Sequence, residues 1–285
     1  SAPENCRTSY RSRSLANWMT DTQNGAGHLL ARVMANRLWQ HHMGRGIVNT
    51  PNDFGLQGEI PTHPQLLDWL ASELIEGGWR LKPLHKKIVM SATYRQSSGY
   101  DAAKMKTDPL NKLHWRRTPA RLQAEVIRDS LLKMSGLLDT RMYGAGTLDE
   151  RMKRRSIYFM IKRSRLIPTM QLFDSPEPLV SQGSRPSTII APQALHFMNN
   201  AQVREAAVAL GAKFEKETDD GEAISLAYQT VVGRAPTQAE TKSITAFIGA
   251  QAQSYKAAGR NDARKLSLAD LAQVLFGLNE FIYVN

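Results

Sequence analysis

Apolar residues recur at intervals of three and four along most of this chain. The runs are cut by glycine, proline and clusters of small polar residues, which is the pattern of many amphipathic helices. Residues 12–20 read as a short helix with Leu15, Ala16 and Trp18 inward. Residues 26–43 read as a long one, with Leu30, Val33, Met34, Arg37, Leu38 and His41 on one face and Gly44 and Gly46 ending it. After a loop over 47–61, Thr62-x-x-Gln65 has the form of a capping box, with Pro64 tolerated in the first turn. It predicts a helix to about Glu76 that buries Leu67, Leu70, Ala71, Leu74 and Ile75 and stops at Gly77-Gly78.

A further helix is predicted from Pro83 to about Ser91, then a polar loop over 97–114 and a helix over 120–138 with Ala124, Ile127, Leu131, Leu132 and Met134 apolar. Helices are also expected over 192–216, over 222–232 and from a second capping box, Thr237-x-x-Glu240, to about Ala258. Ser267-x-x-Asp270 is expected to start the last one, running through Leu271, Leu275 and Leu278. Only Ser156–Lys162 reads as a strand, short, β-branched and aromatic, with a partner expected near 145–149. The expected fold is therefore mainly α, a multi-helix globular domain with at most a small hairpin or minor sheet near 145–162.

Charge divides the chain. The 285 residues carry a formal net charge of +11. Residues 1–190 hold 28 Lys and Arg against 16 Asp and Glu, while residues 191–285 hold 9 against 10. This suggests a flexible lead-in over 1–11, a basic helical body over 12–190 and a smaller C-terminal helical part packed on it as one unit. A basic field favours polyanions or an acidic partner. No apolar run is long enough to span a membrane. No targeting signal is legible, so the chain reads as cytoplasmic or as a mature or excised piece of something longer. The single cysteine, Cys6, excludes an intrachain disulfide and reads as an exposed thiol.

The common nucleotide, serine-hydrolase and zinc signatures are absent. The densest cluster of candidate chemistry is Arg37, His41, His42, Asp53 and His63. His41 and His42 point about 100° apart on a helix, so they do not share a metal easily, and no metal or cofactor is expected. Arg37, placed on the apolar stripe, calls for a carboxylate or several carbonyls, and Asp53 and Asp68 are the natural partners. Asp174 and Arg185 flank a Pro-rich loop and invite the same structural reading. Arg154, Arg155 and Arg163 surround Tyr158 and Phe159, a combination that can bind single-stranded nucleic acid. Alternation along 156–162 sends Ile157, Phe159 and Ile161 to one face, so at least one aromatic belongs to the core, and nucleic acid is disfavoured.

The motifs together resemble one family. They include Leu15-Ala16-x-Trp18, Asn36-Arg37-x-Trp39-x-His41-His42-x-Gly44-x-Gly46, Asp53-Phe54-Gly55 and His63-Pro64-x-Leu66-Leu67-Asp68-Trp69. Further along come Tyr94-Arg95-Gln96, Arg121-Leu122-x-Ala124-Glu125-x-Ile127-Arg128-Asp129, Arg155-Ser156-Ile157-Tyr158, Phe173-Asp174-x-Pro176, Gly233-Arg234-x-Pro236-Thr237-x-x-Glu240 and Asn279-Glu280-Phe281. In these the chain resembles the PSD-one domain of unknown function, typical of planctomycete-type bacteria. The resemblance implies an extracytoplasmic setting, because such domains usually end exported proteins that also carry a cytochrome-c-like domain and a sister domain. It implies no catalytic residues. The expected role is a non-catalytic helical module docking on a redox domain or on an acidic polymer such as sulfated polysaccharide. The alternatives are a hydrolase or lyase acting on a polyanionic glycan, and a nucleic-acid-binding protein.

Overall fold

The computed structural model describes residues 10–284. The expected lead-in and Cys6 therefore lie, up to residue 9, outside the described residues. The chain forms two compact units that divide between Ala120 and Arg121, and the charge step near residue 190 falls inside the second. The architecture is mainly α, as expected.

The first unit contains α1 (Arg11–Thr20), α2 (Gly27–Met43), α3 (Pro64–Glu76), α4 (Leu81–Met90), α5 (Ala92–Arg95) and α6 (Ala102–Thr107). α1 buries none of its residues, so Leu15 and Trp18 are exposed rather than inward. In α2 the buried side is Ala31, Ala35, Asn36, Leu38, Trp39 and Met43. That face is rotated from the one the large apolar residues suggested, and His41 is exposed. α2 packs on α3, and the small side chains of Ala31 and Ala35 let the two axes approach.

α3 buries Leu67, Leu70, Ala71 and Leu74, but no capping box forms at its start. Its N-cap is His63, because Thr62 gives both its N–H and its hydroxyl to the Ile47 carbonyl, at 3.0 and 3.3 Å. The loop expected over 97–114 contains α6, capped by the Asp101 carboxylate, which accepts from the Ala103 and Lys104 N–H groups.

The second unit contains α7 (Ala124–Ser135), α8 (Pro168–Leu172), α9 (Ala191–Asn199), α10 (Ala201–Phe214), α11 (Asp220–Val231), α12 (Gln238–Ala257), α13 (Ala263–Phe276) and α14 (Asn279–Ile282). Among the described residues the one sheet joins β1 (Ala120–Arg121) to β2 (Tyr283–Val284). It is not near 145–162, where a 3₁₀ turn over Ser156–Tyr158 replaces the expected strand. Asp129 explains this. Its carboxylate accepts from both the N–H and the hydroxyl of Ser156, at 2.8 and 2.7 Å, and holds the chain in a turn. A single bridge between Thr147 and Phe159 is what remains of the strand pairing. Phe159 packs against the core, whereas Ile157 and Ile161 are 74% and 79% exposed.

The single helix expected over 192–216 is two, broken at Asn200, whose side chain caps α10 by accepting from the Gln202 and Val203 N–H groups. The capping box of Thr237 and Glu240 is present at the start of α12. α13 starts at Ala263, earlier than Ser267 suggested, and Ser267 lies buried within it, donating to the Arg264 carbonyl. α10 and α13 form the centre of this unit. They cross so closely at Gly211 that a Cβ there would stand 2.6 Å from the Ala269 nitrogen.

Candidate functional site

The signature segment of the first unit is a polar joint built around Asn36. This side chain is fully buried, and its amide is used on both sides by one residue. Asn36 Oδ1 accepts from the Val48 N–H at 2.8 Å, and Nδ2 donates to the Val48 carbonyl at 2.9 Å. The chain must turn tightly between them. Gly44 supplies a left-handed conformation with φ 82°, and Gly46 leaves room where a Cβ would meet the Val48 carbonyl oxygen at 2.4 Å. The Asn-x₉-Gly spacing of the motif is thus a spacing for backbone clamping.

The expected site residues of this unit do not converge. Arg37 is half-buried and donates to Asn52 at 2.9 Å, not to Asp53 or Asp68; Asp68 is held by Arg32 at 2.6 Å. The Asp53 carboxylate accepts from the Gly55 N–H and shapes its own loop. His63 Nδ1 lies 3.0 Å from the Thr62 hydroxyl, and its ring sits beside that of His114. His42 faces His85 on α4, with Nε2 2.7 Å from Nδ1. One of those nitrogens must carry the hydrogen and the other must be bare. Burial, then His85, Arg117 and His41, push the His42 pKa below the usual histidine range. The His42–His85 pair is a contact that sequence reasoning missed, because His85 stands 43 residues from its partner and on another helix. Among the described residues no three His, Cys, Asp or Glu side chains are placed to hold a metal.

In the second unit three motif arginines act as internal ties. Arg121 holds Asp174 at 2.6 Å and the Thr188 carbonyl at 2.6 Å. Asp174 sits at φ 60°, an uncommon region for a residue with a side chain. Burial alone would raise its pKa, but the Thr188 N–H, Arg121 and the Thr188 hydroxyl hold it below the usual carboxylate range. Arg185 is not its partner and pairs instead with Glu125 at 2.7 Å. Arg234 forks onto Glu240 and Glu280, joining the α12 capping box to α14. Arg128, buried in α7, donates to the carbonyls of Arg154 and Met152 and to the Ser156 hydroxyl, and lies 4.7 Å above the Phe159 ring. Arg154 is equally engaged, over Tyr158 at 3.6 Å and on backbone carbonyls. Both aromatics that might have stacked on bases are therefore covered by the protein's own cations.

What these ties frame is a groove of about 790 Å³. Its floor is apolar, made by Met134, Phe159, Ile167 and Met170. Its edges are exposed apolar side chains, Val126, Ile157, Met160 and Ile161. Lys133, Arg155 and Arg185 also line it. The carboxylates in the lining are engaged, Glu125 by Arg185 and Asp129 by Ser156. Arg155 and Lys133 have no carboxylate partner among the described residues. Nor have Lys162, Arg163 and Arg165, which stand exposed on a tight turn closed by the Arg165 N–H and the Lys162 carbonyl at 3.0 Å. That turn lies in the chain directly between two groove residues, Ile161 and Leu166. Of the expected site residues, Arg155 and Arg185 line the groove and Arg163 stands beside it, whereas Arg154 and Asp174 are structural. The arrangement offers shape and charge for binding.

A family model for a protein of unknown function (PSD1, DUF1553) matches residues 11–248, so the chain belongs to that family. No curated protein and no solved structure matches it. Among the described residues no helix is long and apolar enough to cross a membrane.

Proposed function

We propose that this member of a family without an assigned activity is a non-catalytic helical interaction module of an exported multidomain protein, and that it docks on an acidic partner. The observation that carries this is the row of unspent cations in the second unit, Arg155, Lys162, Arg163 and Arg165, beside a chain otherwise rich in internal arginine pairs. An exposed basic cluster with no internal carboxylate attracts acidic surfaces over a Debye length and orients their approach. The redox or sister domain implied by the family resemblance is a partner of that kind, and so is an acidic polysaccharide. The hydrolase or lyase reading required Arg37, His41 or His42, Asp53 and His63 around one open cleft, whereas Arg37, His42, Asp53 and His63 each bond to a different neighbour outside that set.

The test is retention of the full chain on immobilised heparin and on immobilised poly-glutamate. Binding to at least one at low salt is expected, with elution at lower salt for a variant carrying Arg155→Glu, Lys162→Glu, Arg163→Glu and Arg165→Glu. Passage of the unaltered chain through both columns at low salt sinks the reading.

A further inference from the structure

Resting on that docking reading, we propose that the groove of the second unit takes an amphipathic peptide segment of the partner, its apolar side chains seated between Phe159, Met170 and Ile161 and its carboxylates facing Arg155 and the 162–165 turn. The occupant follows from the chemistry of the walls. A volume of about 790 Å³ lies within the range that encloses a drug-sized ligand, or a few side chains from one face of a peptide. The apolar surface does not end at the cavity. Ile157, Met160, Ile161 and Val126 continue it outward, at 74%, 48%, 79% and 43% exposure. A groove whose apolar floor runs out into exposed apolar edges, with cations beside it, has the character of a protein-binding surface rather than of a closed pocket for a small molecule. A sulfated polysaccharide would satisfy the cations and leave this apolar floor wet. A purely apolar peptide would cover the floor and leave the cations without partners. A segment carrying both kinds of side chain meets both demands.

The fixed geometry supports this use. Ile157 lies within the 3₁₀ turn that Asp129 and Arg128 lock through Ser156, and Met160 follows it by two residues, so the apolar wall is held in place before any partner arrives. Preorganisation of that kind lowers the ordering cost of binding. The 162–165 turn adds three cations at one end of the wall, which fixes the direction in which an acidic-to-apolar segment would lie.

The experiment uses the full chain and two fluorescein-labelled peptides of equal charge, one alternating Leu and Glu at helical spacing, the other with every Leu replaced by Ser. Anisotropy at low salt is expected to show the Leu peptide binding at least about tenfold tighter, the return for burying roughly two apolar side chains after ordering costs. Ile157→Glu combined with Ile161→Glu should abolish that preference. Both positions are exposed, and an unchanged thermal transition confirms that the variant folds. Equal binding of the two peptides, or a preference that survives both substitutions, overturns the groove proposal while leaving the basic docking reading intact. Binding of oleate in the groove with no binding of the Leu peptide overturns it as well. Failure of both peptides, together with failure on heparin and poly-glutamate, removes the docking reading itself.

Discussion

The two units are held together by different means. Among the described residues the main cluster of the second unit buries 24 apolar side chains, and that of the first buries 13. A small core leaves little stability in hand, and small folds compensate with additional ties. Beside ion pairs such as Arg32–Asp68, the first unit does so with polar side-chain joints: Asn36 on Val48, His42 on His85, and Gln96 on the His114 carbonyl at 2.8 Å. The second unit leans on arginines, of which Arg121, Arg128 and Arg234 are each spread over several acceptors, and still has basic residues left over. The more conspicuous motif is therefore the more architectural one, and the candidate binding surface lies in the segment where charge is not consumed.

The largest expected effect tests the arginine ties. Arg128→Ala should destabilise the second unit by about 3–5 kcal/mol, because two half-buried carbonyls and the buried Ser156 hydroxyl lose their donor. Burial lowers the pKa of Arg128, and Asp129 and Glu150 oppose that, as expected for a cation held inside by its neighbours. Urea denaturation measures the loss. Hydrogen exchange should place it around residues 150–161, the wall of the groove, so peptide binding should fall with it. A cost below that of the next substitution would reverse the comparison between the units.

Asn36→Ala comes second, at about 2–4 kcal/mol, since both the N–H and the carbonyl of Val48 are left unpaired in a buried place. Its absolute cost is smaller than that of Arg128→Ala, but it falls on the smaller core. Hydrogen exchange should accelerate across residues 27–90 while residues 201–276 keep their protection. Asn36→Asp is expected to be no better. It keeps the acceptor for the Val48 N–H but turns a carboxylate oxygen toward the Val48 carbonyl. Uniform acceleration through both units would mean that they unfold as one, and the contrast drawn between them would not hold for stability.

Much of the fold was legible from spacing, because helices advertise themselves by period and by caps. Thr237 and Glu240 read correctly as a capping box, since nothing else competes for either side chain's backbone partners. Thr62 has the same pattern and fails, because the Ile47 carbonyl captures its hydroxyl from fifteen residues away. The strand over 156–162 was misread for a similar reason. Its residues favour an extended chain, but Asp129, far earlier in sequence, pulls Ser156 into a turn. The site followed the same division. Arginine-rich flanks around 154–163 could be read as a basic surface, yet which arginines are spent and which are free depends on carbonyls and carboxylates brought in by the fold. His85 drew no attention alone, because its role exists only opposite His42.

The smallest expected effect separates the units by pH. His42 and His114 in the first unit, and His196 in the second, all have pKa values pushed below the ordinary 6.5, in each case first by burial. For His42 the neighbours are His85, Arg117 and His41; for His114 they are His63 and Arg45, opposed by Asp108. His196 is opposed by Glu150 and has no cationic neighbour acting on it. A histidine with a lowered folded pKa takes up its proton more readily in the unfolded chain. Its neutral form therefore supports the fold fully above about pH 6.5, and the support declines as pH falls from there through the folded pKa, then levels off. The first unit carries two such groups among like charges and the second carries one beside a carboxylate. Acidification from about pH 7.5 to about pH 5 should thus loosen α2 and α4 before α10 and α13, read as hydrogen exchange corrected for its intrinsic pH dependence. His42→Gln should lessen that response in the first unit alone and leave the His114 share, because an amide can fill the place of the imidazole without titrating. A first unit whose protection does not change over this range, or changes only in step with the second, would show that the imidazole pair is no weaker a tie than an arginine.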